Sequence, residues 1–153
     1  IVLQDFLETP FKFRRTTEKG KFEHTIETAA YSQIRLLDVG RAVEAMRLGV
    51  EQPLELNLTI TDPVERYLPE DSGWRGCAGS YVLRLGPESQ CERGENDTLP
   101  TVEMSINAFS QLWSGARSVE HLSMRGEISG DREILNALAR ELRIPEPDFD
   151  WLF

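Results

Sequence analysis

Side chains able to do chemistry are sparse in this chain, and most sit where chemistry has little to work with. Histidine, whose proton comes and goes near neutral pH, occurs twice, as His24 and His121. The two lie far apart in sequence, no Cys-x-x-Cys is present, and no further ligand is spaced beside either one, so the pattern of a metal site is missing. His121 falls in the short segment SVEHLSMRG and is expected at a surface or half-buried position. Cys77 and Cys91 are the only cysteines, far below the density of a disulfide scaffold, and two free thiols are expected. The acidic pairs Glu70-Asp71 and Asp148/Asp150 would suit general acid and base work, but both lie in polar segments where carboxylates stay solvated and ionised.

Nucleotide chemistry is no better supplied. There is no P-loop and no Gly-x-Ser-x-Gly elbow. The nearest approach to a pyrophosphate-binding turn is RGCAGS, residues 75–80. Its glycines stand at the wrong offsets, and it runs into a strand, so no helix N-terminus follows to offer free N–H groups to phosphate. The anomaly is the ending PDFDWLF, residues 147–153, where Phe149, Trp151 and Phe153 crowd around the terminal carboxylate. Chain ends seldom bury enough surface to offset the entropy of ordering. Either the aromatics pin the tail over the body of the domain, or they hold a carboxylate in place for use.

The elements that must position these residues are legible from periodicity. YSQIRLLDV reads as a strand ending at Asp38, a good helix cap, after which Val39, Ala42, Val43 and Met46 recur at helical spacing until Gly49. LELNLTI alternates, with Leu54, Leu56, Leu58 and Ile60 on one face, and Asp62-Pro63 closes it. SYVLRLG and SQCERG read as a hairpin turning at Gly86-Pro87. TVEMSI alternates again and runs into NAFSQLWSG, whose Phe109, Leu112 and Trp113 share a helix face that Gly115 ends. Ser118 caps a short helix. DREILNALAREL has an acidic first turn and an apolar stripe of Ile134, Leu135, Leu138 and Leu142, and Pro145 and Pro147 forbid its continuation. Residues 1–30 mix aromatic and basic residues without a clean period and read as an approach segment with a strand pair turning at Glu18-Lys19-Gly20. Strands early and helices late predict an α+β domain with a mostly antiparallel sheet and helices on one face.

The formal net charge is −9, with eleven acidic against four basic residues over 51–103 and five of each over 1–30. Such a surface repels phosphates and argues against nucleic acid. Either the charge only keeps the domain soluble, or it steers cationic small molecules or basic partners inward. No apolar run approaches the roughly 20 residues of a membrane span, and the opening IVLQDFLETP lacks the marks of a signal peptide, which points to a soluble, cytoplasmic chain. Ile1 in place of Met suggests either a processed chain or a piece of something longer.

IRLLDVGRAVEAM resembles the strand-helix opening, and MSINAFSQLWSGARSVEHLSMRGEISGD with its following helix and aromatic end resembles the close, of the sterol-carrier-protein-like C-terminal domain of Eis-type N-acetyltransferases of the GNAT superfamily. The resemblance covers residues 31–153 and leaves residues 1–30 as the tail of a preceding domain or a linker. It implies that acetyltransferase domains of the same polypeptide are the partners, that acetyl-CoA is bound there and no cofactor here, and that the full polypeptide is a homo-oligomer acting on a cationic amine acceptor. It further implies that the carboxylate of Phe153 is the general base and that Phe153, Trp151 and Asp150 line the acceptor site. Leu152 departs from the family in not being acidic. The fold's namesakes carry lipid in an apolar tunnel, so a stand-alone carrier of fatty acyl chains is the second expectation, with Phe109, Trp113 and Leu138 as its walls.

Overall fold

The computed structural model describes residues 15–16, 22–23 and 34–145. The chain divides into two units, Ile1–Gln33 and Ile34–Phe153. In the first, β1 (Arg15–Thr16) pairs antiparallel with β2 (Phe22–Glu23), Arg15 opposite Glu23. The strand pair expected in this stretch is present, and Glu18, Lys19 and Gly20 of its turn lie outside the described residues.

The second unit is built on a five-stranded mixed sheet. Its strands are β3 (Leu54–Thr61), β4 (Gly79–Leu85), β5 (Gln90–Arg93), β6 (Thr101–Ser105) and β7 (Ile128–Gly130), in the order β5-β4-β3-β6-β7. Three of its four pairings are antiparallel, and β3 with β6 is parallel. Register decides which face is apolar. Leu54, Leu56 and Leu58 stand opposite Leu85, Leu83 and Tyr81, and Cys91 and Arg93 continue the same rows on β5.

Four helices accompany the sheet: α1 (Val39–Ala45), α2 (Ile106–Trp113), α3 (Val119–Met124) and α4 (Arg132–Glu141). Asp38, Ser105 and Ser118 cap the first three by accepting from the backbone N–H three residues on, which supplies one of the donors a helix start leaves unpaired. α1 ends at Ala45, a turn before Gly49. α1 lies on β5, α2 on β6 and β3, and α4 on β3 and β7, covering the apolar face. The indole of Trp113 stacks on Phe109 at 4.9 Å and its Nε1 donates to Ala42 O at 2.9 Å, which ties α2 to α1. Gly115, at φ +77, turns the chain after α2, where a side chain would run into the backbone of Pro145 and the Ile144 side chain. Only glycine is at ease there.

Two expectations need correction. Residues 34–38 form no strand, and Tyr31, Ser32 and Gln33 lie outside the described residues. The segment's polar groups are satisfied by side chains rather than by a ladder: Leu36 N–H donates to Ser110 Oγ at 3.0 Å, and Leu37 O accepts from Trp74 Nε1 at 3.0 Å. His121 is buried at 3 % exposure rather than on or near the surface, because α3 packs that side on α4 and β7. A third point is an addition. GEISG supplies β7, whose three residues are too few for an alternation to announce themselves.

On the other sheet face Glu55, Arg84, Glu92 and Glu103 are exposed. Asn57 is an exception there, buried at 4 %. The loop before β6 folds over it, and its amide donates to Asn96 O at 2.8 Å and Leu99 O at 3.1 Å and accepts from Asn96 N at 2.9 Å.

Candidate functional site

Two spaces on the helix-covered side of the sheet are candidates for binding. The first is the interior between sheet and helices, walled by Leu56, Leu58, Leu83, Phe109, Trp113 and Leu138 among others. The residues expected to wall a lipid tunnel are therefore gathered in one place. They meet closely enough to leave a cavity of only about 10 Å³, about one water-sized sphere.

The second space, about 350 Å³, opens where α1 begins and β5 ends. Leu37, Asp38, Val39 and Gly40 form one wall, Trp74, Gly76 and Cys77 of the loop before β4 a second, and Tyr81, Cys91 and Arg93 the floor. Alternation aims Tyr81, Cys91 and Arg93 at the same side as the core leucines. Tyr81 is 4 % exposed, and its hydroxyl donates to Cys77 O at 2.9 Å and accepts from Arg93 Nη2 at 3.2 Å. The guanidinium carbon of Arg93 lies 5.2 Å from the Tyr81 ring centroid, within cation–π reach. Stacking and hydrogen bond together hold the guanidinium in one place.

The wall behind this space is fastened by Asp62. Its side chain, fully screened from solvent, takes two 2.7 Å bonds from Arg35 Nη2 and accepts from Cys77 N at 2.9 Å and Val64 N at 3.1 Å. Burial alone would raise the Asp62 pKa; the Cys77 N–H, the Arg35 guanidinium and the Val64 N–H outweigh it and hold the carboxyl below 3.8. Gly76 passes this knot at φ +88, where a Cβ would stand 2.7 Å from Val64 Cγ1 and 3.0 Å from Asp62 Oδ2. Asp62-Pro63, read from the sequence as a strand terminator, is thus also an anchor for the segment 34–38 and the loop before β4.

Both thiols are free. Burial, then the charge of Asp62, pushes the Cys77 thiol up. Burial, then Glu44 and Asp38, pushes Cys91 up to about 11. The Tyr81 hydroxyl is raised by burial, with Arg93 pulling the other way. All three groups stay protonated at neutral pH, so neither thiol nor the phenol serves as a nucleophile or a base there, and the charged side chains of the lining are Arg93 and Asp38.

The site residues expected from the sequence lie elsewhere. Phe153, Trp151 and Asp150, with Phe149 and Asp148, lie outside the described residues, as does His24. Glu70 and Asp71 are exposed on a turn and take no part in the pocket. RGCAGS is loop and strand start, and Gly76 and Cys77 of it line the pocket. Among the described residues no three His, Cys, Asp or Glu side chains come together as metal ligands, and no helix is long and apolar enough to cross a membrane. Sequence reading missed Tyr81 and Arg93. The available signal was Arg93 itself, an arginine two residues from Cys91 on the inward side of a strand.

A family model described as sterol carrier protein domain matches residues 39–147. Among solved structures, a conserved protein of Enterococcus faecalis V583 described as a probable N-acyltransferase is 19 % identical, with a TM-score of 0.60 over 74 % of this chain and 26 % of its own. A GCN5-related N-acetyltransferase from Anabaena variabilis is 17 % identical, with a TM-score of 0.58 over the same shares. Eis1 from Mycobacterium abscessus is 13 % identical over 73 % of this chain and 25 % of its own, with a TM-score of 0.49, below the level at which a likeness of fold is drawn. The chain spans about a quarter of the length of these structures. A comparison with curated proteins finds no match.

Proposed function

Given that this chain belongs to the sterol carrier protein domain family, we propose that it serves as an accessory domain of a larger N-acetyltransferase polypeptide and not as a lipid carrier. The filled interior carries this reading. A pocket that encloses a drug-sized or acyl ligand needs roughly 300 Å³ or more, against about 10 Å³ between sheet and helices. Two further observations support it: the solved chains of like fold are described as acyl- and acetyltransferases of which such a domain makes up about a quarter, and the net charge of −9 favours a cationic amine acceptor.

In this reading acetyl-CoA is held by other domains of the polypeptide, the assembly is a homo-oligomer, and it works in the cytoplasm. In a polypeptide that ends at Phe153, the terminal carboxylate is the general base, and Trp151 and Asp150 stand beside the acceptor. A base must come within about 3 Å of the proton it removes.

Titration of the chain with a fluorescent fatty acid tests the choice between accessory domain and carrier. No saturable binding at micromolar concentration is expected, and binding that oleate displaces would overturn the proposal. The catalytic part has its own test in the full polypeptide. Deleting Phe153 shifts the terminal carboxylate by about 3.3 Å, and turnover is expected to fall roughly 10²–10⁴-fold with little change in melting temperature. Near-normal turnover would remove the carboxylate from the mechanism.

A further inference from the structure

We infer that the cavity between α1, the loop before β4, and β5 is a binding site for a small organic carboxylate with an aromatic or short aliphatic body, held by the Arg93 guanidinium. This goes beyond the accessory-domain reading and does not depend on it, since it concerns a property of the chain by itself.

The first ground is the cation. Arginine in a strand normally points its head to water or to a carboxylate. Arg93 stands on the inward row of β5, over Tyr81, at the solvent-exposed end of that row, and among the described residues no acidic side chain forms an ion pair with it. Tyr81 is fixed in turn by its bond to Cys77 O. A guanidinium held by the ring and hydroxyl of one tyrosine, at the lining of an open space, suits a planar two-oxygen anion, because the spacing of its N–H fork matches that of a carboxylate. Little ordering entropy is then left to be lost on binding.

The second ground is the enclosure. Trp74 and Val39 give apolar walls, Leu37, 59 % exposed, stands at the mouth, and the Trp74 indole is held by its bond to Leu37 O. Gly40 lines the space without a side chain to fill it, and Gly76 lets the chain pass between the space and the Asp62 knot, into which a Cβ there would run. The volume, about 350 Å³, lies at the small end of ligand pockets and suits a ring or a short chain rather than a long acyl tail.

The third ground separates carboxylate from phosphate. Asp38 lines the cavity, and Glu44 and Asp38 both act on Cys91 on its floor. Those carboxylates, within a strongly acidic domain, act against any anion and so leave binding to rest on Arg93, and they act about twice as strongly against a dianion as against a monoanion. A single negative charge beside Arg93 is the better fit.

The test uses the full 153-residue chain and three probes of one shape: 3-phenylpropionate, its neutral amide, and 2-phenylethyl phosphate. Binding is followed by the backbone amide resonances of Gly76, Cys77 and Arg93. The carboxylate is expected to bind with a dissociation constant below about 1 mM, and the amide and the phosphate each roughly 10-fold more weakly. Arg93→Gln is expected to lose the same factor while melting near the parent temperature, and Arg93→Lys, which keeps the charge without the fork, to lose less. Absence of carboxylate binding at millimolar concentration, equal binding of acid and amide, or tighter binding of the phosphate would each overturn the inference. If Arg93→Gln fails to fold, the acid and amide comparison on the parent chain decides the matter alone.

Discussion

The two spaces described on one face of the sheet differ in almost every respect. Toward β3 and β6 the leucines of adjacent strands meet Phe109 and Leu112 of α2, Leu138 of α4 and Leu142 just past its end, and almost no volume remains. Toward β5 the same alternation continues through Tyr81, Cys91 and Arg93, yet about 350 Å³ stays open. The difference lies in what faces the strands. α2 and α4 present long branched or aromatic side chains along the strands they cover, and these interdigitate to crystal-like density. α1 has seven residues and starts at the cavity, where it and the loop before β4 contribute Gly40 and Gly76. A row of side chains closes a core only where a second row of matching size meets it; where a helix start and a loop meet a charged head, space is left for water or a ligand.

The comparison is easiest to break in the filled half. Leu138, 3 % exposed, has no partner there for a charge, so Leu138→Asp is expected to cost about 4 kcal/mol or more and abolish a cooperative melt. A variant that melts like the parent would show that α4 does not close this core. Phe109→Ala is expected to cost about 3–5 kcal/mol. It also sharpens the contrast, because the dry cavity it leaves should take up benzene where the parent does not, a difference that calorimetry would read.

Between the two halves stands the Asp62 knot. Asp62→Asn keeps the shape and removes the charge, and about 2 kcal/mol is expected, toward the low end for such a pair because the Arg35 side chain is 35 % exposed. The pH dependence has a definite sign. Since the folded carboxyl titrates below 3.8, its contribution is complete above the unfolded value near 3.9 and is lost as pH falls through the folded one. Urea melts at stepped pH should therefore show parent and Asp62→Asn well separated at pH 6 and converging below about pH 4. Constant separation down to pH 2 would mean that the carboxyl is not held in its charged form by these partners.

The smallest effect concerns the open half. With its thiol pushed up to about 11, Cys91 should react with iodoacetamide at pH 8 roughly 10²-fold more slowly than an unperturbed thiol, since only the thiolate attacks. Mass spectrometry of the modified chain at pH 8 and pH 10 reads this directly. Alkylation as fast as that of a free cysteine would place Cys91 in water rather than among Asp38, Glu44 and the apolar wall.

Much of this was legible along the chain and some of it was not. Alternation in LELNLTI and TVEMSI, helical spacing after Asp38, Ser105, Ser118 and Asp131, and the Gly86-Pro87 turn are interactions over a few residues, so local composition determines them, and with them the α+β class and most of the core. Residues 34–38 show the limit. Their pattern suits a strand, but Ser110, Trp74 and Asp62, far away in sequence, take up their hydrogen bonds. The parallel pairing of β3 with β6, the burial of Asn57, the knot at Asp62 and the meeting of Arg93 with Tyr81, Cys77 and Trp74 around one cavity also join distant stretches. A strand states which side its residues take; which neighbours meet that side, and whether they fill it, is decided only when the elements come together.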